Sequence, residues 1–216
     1  VSVKRARNRI LKYDDRHKNG ETSPMTATPT RKELTHERIV NTASTIIRRS
    51  GYDGTGVADI MKEAGLTHGG FYAHFGSRDQ LLAEAVDRAA GDTLARMQRV
   101  TARAAPQDAL KVFVDAYLSD GHAASPDTGC ALASLGTETP RQAPEVRQVC
   151  ARRLKEMIDL VERQLPGWGE PGQREKALGV LSTLVGAMVL ARTADDPRLS
   201  TAVRDAAKVF IEDGLA

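Results

Sequence analysis

Apolar residues recur along most of this 216-residue chain at intervals of three and four, the period of a helix with one buried face. Over residues 35–50 the stripe is Ile39, Ala43, Ile46 and Ile47, and Gly51 ends it. Val57, Ile60, Met61 and Ala64 repeat the pattern at offsets 0, 3, 4 and 7 in a shorter helix, stopped by Gly65. A long helix over residues 77–104 carries Leu81, Leu82, Ala85, Val86 and Ala89 on its first half. Leu94, Met97 and Val100 follow beyond Gly91, so one helix is expected to serve two cores. Further helices are predicted over 107–119, 129–135, 144–165, 173–193 and 199–214. Residues 120–128 read as a polar loop, and Pro and Gly make 166–172 another. No stretch shows strand alternation, so an all-α fold is expected.

Between residues 53 and 83 the pattern becomes specific. After Gly65, Thr67 is placed to cap a short second helix running to about Phe75. Gly76 closes it, and Ser77 with Gln80 three residues on forms a capping box for the long helix. Helix, glycine-containing turn and helix make a helix-turn-helix, whose second helix enters the DNA major groove. The start of that helix, His68, Gly69 and Gly70, offers no apolar bulk and costs roughly 1 kcal/mol per Gly against Ala. Small residues there let the backbone come close to a partner. Phe71 and Phe75, four apart, are expected to anchor the helix in the core. Tyr72, His74 and Arg78 are left to hydrogen-bond phosphates.

Ala64-Gly-Leu-Thr67, Tyr72-Ala-His-Phe75, Ser77-Arg78 and Leu81 resemble, at fixed spacings, the DNA-binding domain of the tetracycline-repressor (TetR) family of transcriptional regulators. The resemblance covers roughly residues 36–90. It implies a DNA-binding set of Thr55, Thr67, His68, Gly69, Gly70, Tyr72, His74 and Arg78. One departure is Gly56, which stands where the family usually has a phosphate-touching Thr or Ser cap, with Thr55 beside it.

Charge agrees once it is divided. Residues 1–80 hold 14 Lys and Arg against 9 Asp and Glu, net +5, whereas residues 81–216 are net −2. The positive half coincides with the helix-turn-helix, as a footprint for phosphate should. Lys4, Arg5, Arg7, Arg9, Lys12, Arg16 and Lys18 stand in a tail, 1–34, that is either a disordered terminus or a minor-groove arm. A natural start at Met25 is a further option for it. Two cysteines give no disulfide framework, and a cytoplasmic, reduced protein is expected. No signal peptide and no membrane span are expected either.

The helix over Gln173–Thr193 has two apolar lines, Leu178, Leu181, Val185 and Met188, and Val180, Leu184, Ala187 and Ala191. They lie roughly 110° apart at 3.6 residues per turn, more than one core covers. These eight residues are expected to form a homodimer interface, completed by the last helix around a two-fold axis. The resemblance implies the same pairing of the last two helices.

Catalysis has little support: there is no Gly-x-Ser-x-Gly, no phosphate-binding glycine loop, and no His-Glu-x-x-His. A non-specific architectural DNA protein would need more charge than +3. The reading is therefore an all-α regulator with no cofactor and no metal. A three-helix helix-turn-helix domain (35–90) is joined by a long helix to a helical ligand-binding and dimerisation domain (91–216). It acts as a repressor, released from a near-palindromic operator on double-stranded DNA by a small molecule bound between residues 94–118 and 146–165. Cys130, at a helix start where the dipole favours a thiolate, makes an electrophile or redox sensor the alternative; Cys150 lies on an apolar stripe and reads as inert.

Overall fold

The computed structural model describes residues 28–215; residues 1–27 of the expected tail, with its three readings, lie outside them, and its last four residues, 31–34, are instead the first turn of a helix. Helix α1 (Arg31–Ser50) begins four residues before the apolar stripe would place it. Thr30 Oγ1 accepts from the Glu33 amide at 3.2 Å, and the Glu33 carboxylate accepts from the Thr30 amide at 2.7 Å. This reciprocal cap fixes a polar first turn that carries no hydrophobic signal. Helix α2 (Val57–Glu63) follows, then a 3₁₀ turn over His68–Ala73, and α3 (Arg78–Thr101). The rest comprises α4 (Ala109–Tyr117), α5 (Asp120–Ala124), α6 (Ala131–Leu135), α7 (Pro144–Glu162), α8 (Gln173–Thr193) and α9 (Pro197–Asp213). Among the described residues there is no strand. The polar loop expected at 120–128 is instead α5 and a 3₁₀ turn. Ser119 Oγ caps α5, a helix too short to show a stripe.

Two apolar cores share α3. Leu81, Leu82, Ala85, Val86 and Ala89 pack with Ile39, Ile47, Ile60, Met61, Phe71 and Phe75, while Met97 joins Phe113, Tyr117, Met157, Val161, Leu184 and Ile211. The first core does not stop at residue 90, for Ala131, Leu135 and Val146 also belong to it. The N-terminal helices are thus seated on α6 and α7. Asp87 of α3 reinforces the seat, its carboxylate gripped by Arg153 at 2.7 and 2.9 Å and by Arg152 at 2.5 Å.

The interface expected on α8 needs correction. Val180, Leu181, Leu184, Ala187, Met188 and Ala191 are buried in the chain's own core against α7 and α9, so both apolar lines converge on one wide inner face. Leu178 is exposed and Val185 half-buried. The outward line is small: Gly179, Ser182 and Gly186, with Leu190 beyond. By length and mean hydropathy (1.3) α8 would suffice to cross a membrane, contrary to the expectation of no such run. Its commitment to the core accounts for its apolarity without a bilayer. Between residues 94–118 and 146–165, where the ligand pocket was expected, Met97, Phe113, Tyr117, Met157 and Val161 pack together, and open space is confined to one end, a cavity of about 600 Å³ lined by Leu110, Val114 and Leu165 with Ile211 of α9.

Candidate nucleic-acid interface

The reading segment is a 3₁₀ turn rather than an α-helix, consistent with two glycines that weaken α-helical propensity in a stretch of six residues. It is held from below. Phe71 and Phe75 are each 2% exposed and stack 5.5 Å apart. The His36 ring lies 4.5 Å from Phe75, and His36 Nε2 meets Glu84 at 2.6 Å, so α1 and α3 clamp the turn between them. Thr67 occupies the cap position without bonding its own helix, which leaves an exposed hydroxyl. His68 and Gly69 are exposed and Gly70 half-buried. Tyr72 stands out at 73% exposure, edge-on to Phe71.

The two glycines are not demanded by the fold. Neither adopts positive φ. A β-carbon on Gly69 would meet nothing within 4 Å, and one on Gly70 would make ordinary contact with Met61 at 3.6 Å.

His74 is half-buried at the end of the turn, and its buried Nδ1 has no hydrogen-bond partner among the described residues. Burial, then the charges of His36 and Lys32, hold its pKa below the ordinary imidazole value. Lys32 was not among the expected contacts. Its place in the first turn of α1 was legible from Thr30-x-x-Glu33, the capping box that the hydrophobic pattern overlooks.

Two expected DNA contacts turn inward. Thr55 is 2% exposed and donates its hydroxyl to the Gly51 carbonyl at 2.9 Å, spending itself on the connector between α1 and α2. The Arg78 guanidinium donates to the carbonyls of Tyr52 and Thr55, stapling the start of α3 to the same connector. Ser77 Oγ caps α3 through the Gln80 amide at 3.0 Å. The Gln80 side chain accepts from Gly76 rather than from Ser77, so the box closes one residue early.

Cys130 is buried. Its amide donates to His122 Nε2 at 2.9 Å, while His122 Nδ1 donates to the Tyr117 carbonyl at 2.5 Å. The Cys130 amide is therefore already paired, and the helix whose dipole was to favour a thiolate is only five residues long. Burial holds His122 neutral, with its pKa lowered to about 4.

Known proteins agree with this geometry. Residues 39–85 match the family model described as bacterial regulatory proteins, tetR family, and residues 106–206 match an LmrA/YxaF-like transcriptional regulator C-terminal domain. An uncharacterised HTH-type transcriptional regulator of Mycobacterium tuberculosis is 32% identical over 74% of this chain and 85% of its own length. The chain belongs to the TetR family. The HTH-type regulator LmrA of Bacillus subtilis is 26% identical over 73% of this chain and 86% of its own. A TetR regulator structure from Chloroflexus aurantiacus superposes with a TM-score of 0.71 at 26% identity, covering 84% and 96% of the two chains. This TetR-family chain is a DNA-binding regulator of transcription with an N-terminal helix-turn-helix and a helical C-terminal domain.

Proposed function

We propose that the protein is a homodimeric, cytoplasmic repressor that a small molecule releases from a near-palindromic operator. The observation that carries the reading is the turn at Thr67–Tyr72. It presents one exposed and one half-buried glycine that the fold does not require, flanked by an exposed hydroxyl and a protruding phenol. A surface left bare for no internal reason fits close approach to base edges. Thr67, His68, Gly69 and Gly70 face the bases. Tyr72, His74 and Lys32 hold the flanking phosphates, replacing Thr55 and Arg78 in that role.

The dimer face we assign to the outward sides of α8 and α9. Gly179 and Gly186 would let a partner helix come close, since a β-carbon on either meets nothing within 4 Å. Leu199, Val209 and Phe210 of α9 are exposed at 53, 56 and 69%. Together they make an apolar, small-residue face suited to a two-fold four-helix contact.

The test is selection of bound duplexes from a random DNA library, with sedimentation run in parallel. The expected result is a palindrome whose half-sites lie about one helical turn apart or a multiple of it. Phe210→Arg is expected to give a folded monomer with weakened binding. An asymmetric site, or a fully dimeric Phe210→Arg protein, would overturn the arrangement.

A further inference from the structure

A cavity of about 810 Å³ lies between α6, α7 and α8, within the size range of small-molecule sites. It is open on one side, and its walls are mainly aliphatic, with Leu178 and Val185 of α8 and Ala151 of α7; Ser182 and Gly186 mark the edge it shares with the proposed dimer face. Arg147 is its sole charged wall residue, exposed at the rim and without a carboxylate at ion-pair distance among the described residues. The remaining polar groups include Thr139 and Cys150 at one end. Those two touch the DNA-binding head. Thr139 Oγ1 lies 3.5 Å and Cys150 Sγ 3.6 Å from the hydroxyl of Tyr52, which is fully buried in the connector between α1 and α2. The Tyr52 amide donates to the Glu138 carboxylate at 2.8 Å, and its carbonyl accepts from Arg78 at the start of α3.

We propose that this cavity is the effector site, that it takes an amphipathic molecule with an apolar body and an anionic end, and that Tyr52 carries occupancy to the reading head. The proposal rests on the ligand-responsive reading above. An anion pairs with Arg147, whereas a cation finds no partner among the walls; the aliphatic walls take the apolar body. A regulator responds only to a ligand that distinguishes two states. The contacts among Tyr52, Thr139 and Cys150 are long enough for a ligand at that end to displace them. Displacement moves the connector that Arg78 staples to α3 and from which α2 departs. The head then shifts through one residue held at its amide, its carbonyl and its hydroxyl.

The test uses 1-anilinonaphthalene-8-sulfonate, an aromatic anion, and N-phenyl-1-naphthylamine, its uncharged counterpart, on the full-length protein. Fluorescence titration is expected to show one anion site per chain. Ala151→Trp, which fills the cavity, should weaken both probes about tenfold or more, roughly 1.4 kcal/mol. Arg147→Gln should weaken the anion about fivefold, the upper end for an exposed ion pair, and leave the neutral probe within about twofold. Anion affinity unchanged in either variant overturns the site, including the case in which a partner subunit fills the groove. Operator release is then measured on a library-selected duplex. Tyr52→Phe should bind the anion and the duplex as wild type does, yet need about tenfold more anion for release. Thr139→Val cuts the same contact from the cavity wall and replaces Tyr52→Phe if that variant melts early, its release then being read relative to its own measured anion affinity. Equal release in the variant and wild type overturns the Tyr52 relay. Failure of wild type to bind any duplex before probe is added overturns the regulator reading instead, and the fluorescence arm still decides the cavity.

Discussion

At Gly129 an added β-carbon would collide with the Arg192 guanidinium and sit 3.0 Å from the His122 ring; at Gly69 it would meet nothing. Around Gly129 polar groups from several helices converge. Its carbonyl accepts from Arg48 of α1 at 3.2 Å and from Thr93 of α3 at 3.4 Å, and Arg192 of α8 donates to the His122 carbonyl at 2.8 Å. The reading turn has the opposite character: its exposed polar groups look outward and its glycines leave space open. A glycine explained by its own chain is a packing device. One that the chain does not explain points to a partner outside it.

The largest expected effects come from exchanging these roles. Gly129→Val should cost about 3 kcal/mol in urea unfolding, because the His122 ring cannot yield without breaking two hydrogen bonds. Gly69→Leu should leave stability within about 0.5 kcal/mol of wild type. Its operator binding should fall by more than about a hundredfold, or 2.7 kcal/mol, in gel shifts. If Gly69→Leu binds normally, the comparison fails at its more informative end.

Nearly as large is the pH response of the joint. The His122 pKa is lowered in the fold to about 4, from an ordinary value of 6.5. Between those values the unfolded chain binds the extra proton, so stability is full above about pH 6.5 and falls as pH drops toward 4. At 1.36 kcal/mol per unit the loss is about 3 kcal/mol. His122→Gln should flatten that slope in unfolding experiments at pH 7, 6, 5 and 4. An unchanged slope would place the proton uptake elsewhere.

How much of this was legible depends on what a side chain does besides being apolar. The stripes of α1, α3 and α7 announce helices and inner faces because burial and period coincide there. The polar first turn of α1 and the five residues of α5 escape, one held by a cap and the other too short for a period. On α8 the two apolar lines were visible, but the outward line of Gly179, Ser182 and Gly186 was not, since a close-approach surface need not be hydrophobic. At the interface with DNA, spacing located Thr67, Gly69 and Tyr72 on the turn. It could not show where longer or branched groups reach, and Thr55 and Arg78 reach inward. His122 stood in a segment that looked like solvated loop, and no local pattern reveals a ring bonded at both nitrogens.

Arg78 sharpens the comparison because it lies beside the reading turn yet behaves like the joint. Its removal leaves the carbonyls of Tyr52 and Thr55 without a donor. Arg78→Ala should therefore lower stability by about 2 kcal/mol. Because it makes no phosphate contact in this arrangement, the slope of log affinity against log salt should keep its wild-type value. A slope reduced by about one unit would mean that the side chain swings out to a phosphate on binding.

The smallest expected effect belongs to Tyr72. Its hydroxyl is exposed and bonds nothing among the described residues, so Tyr72→Phe removes no contact seen there, and the ring keeps its edge-on packing against Phe71. Unfolding should be unchanged. On DNA the phenol is assigned one neutral hydrogen bond to a phosphate, and losing it should cost about 1 kcal/mol, roughly fivefold in affinity. A phosphate carries no sequence information, so the loss should be equal for the selected operator and for unrelated duplex. No charge is removed, so the salt slope should not move. A loss confined to the selected operator would instead put the phenol on a base edge. It would raise the number of base-facing residues from four to five.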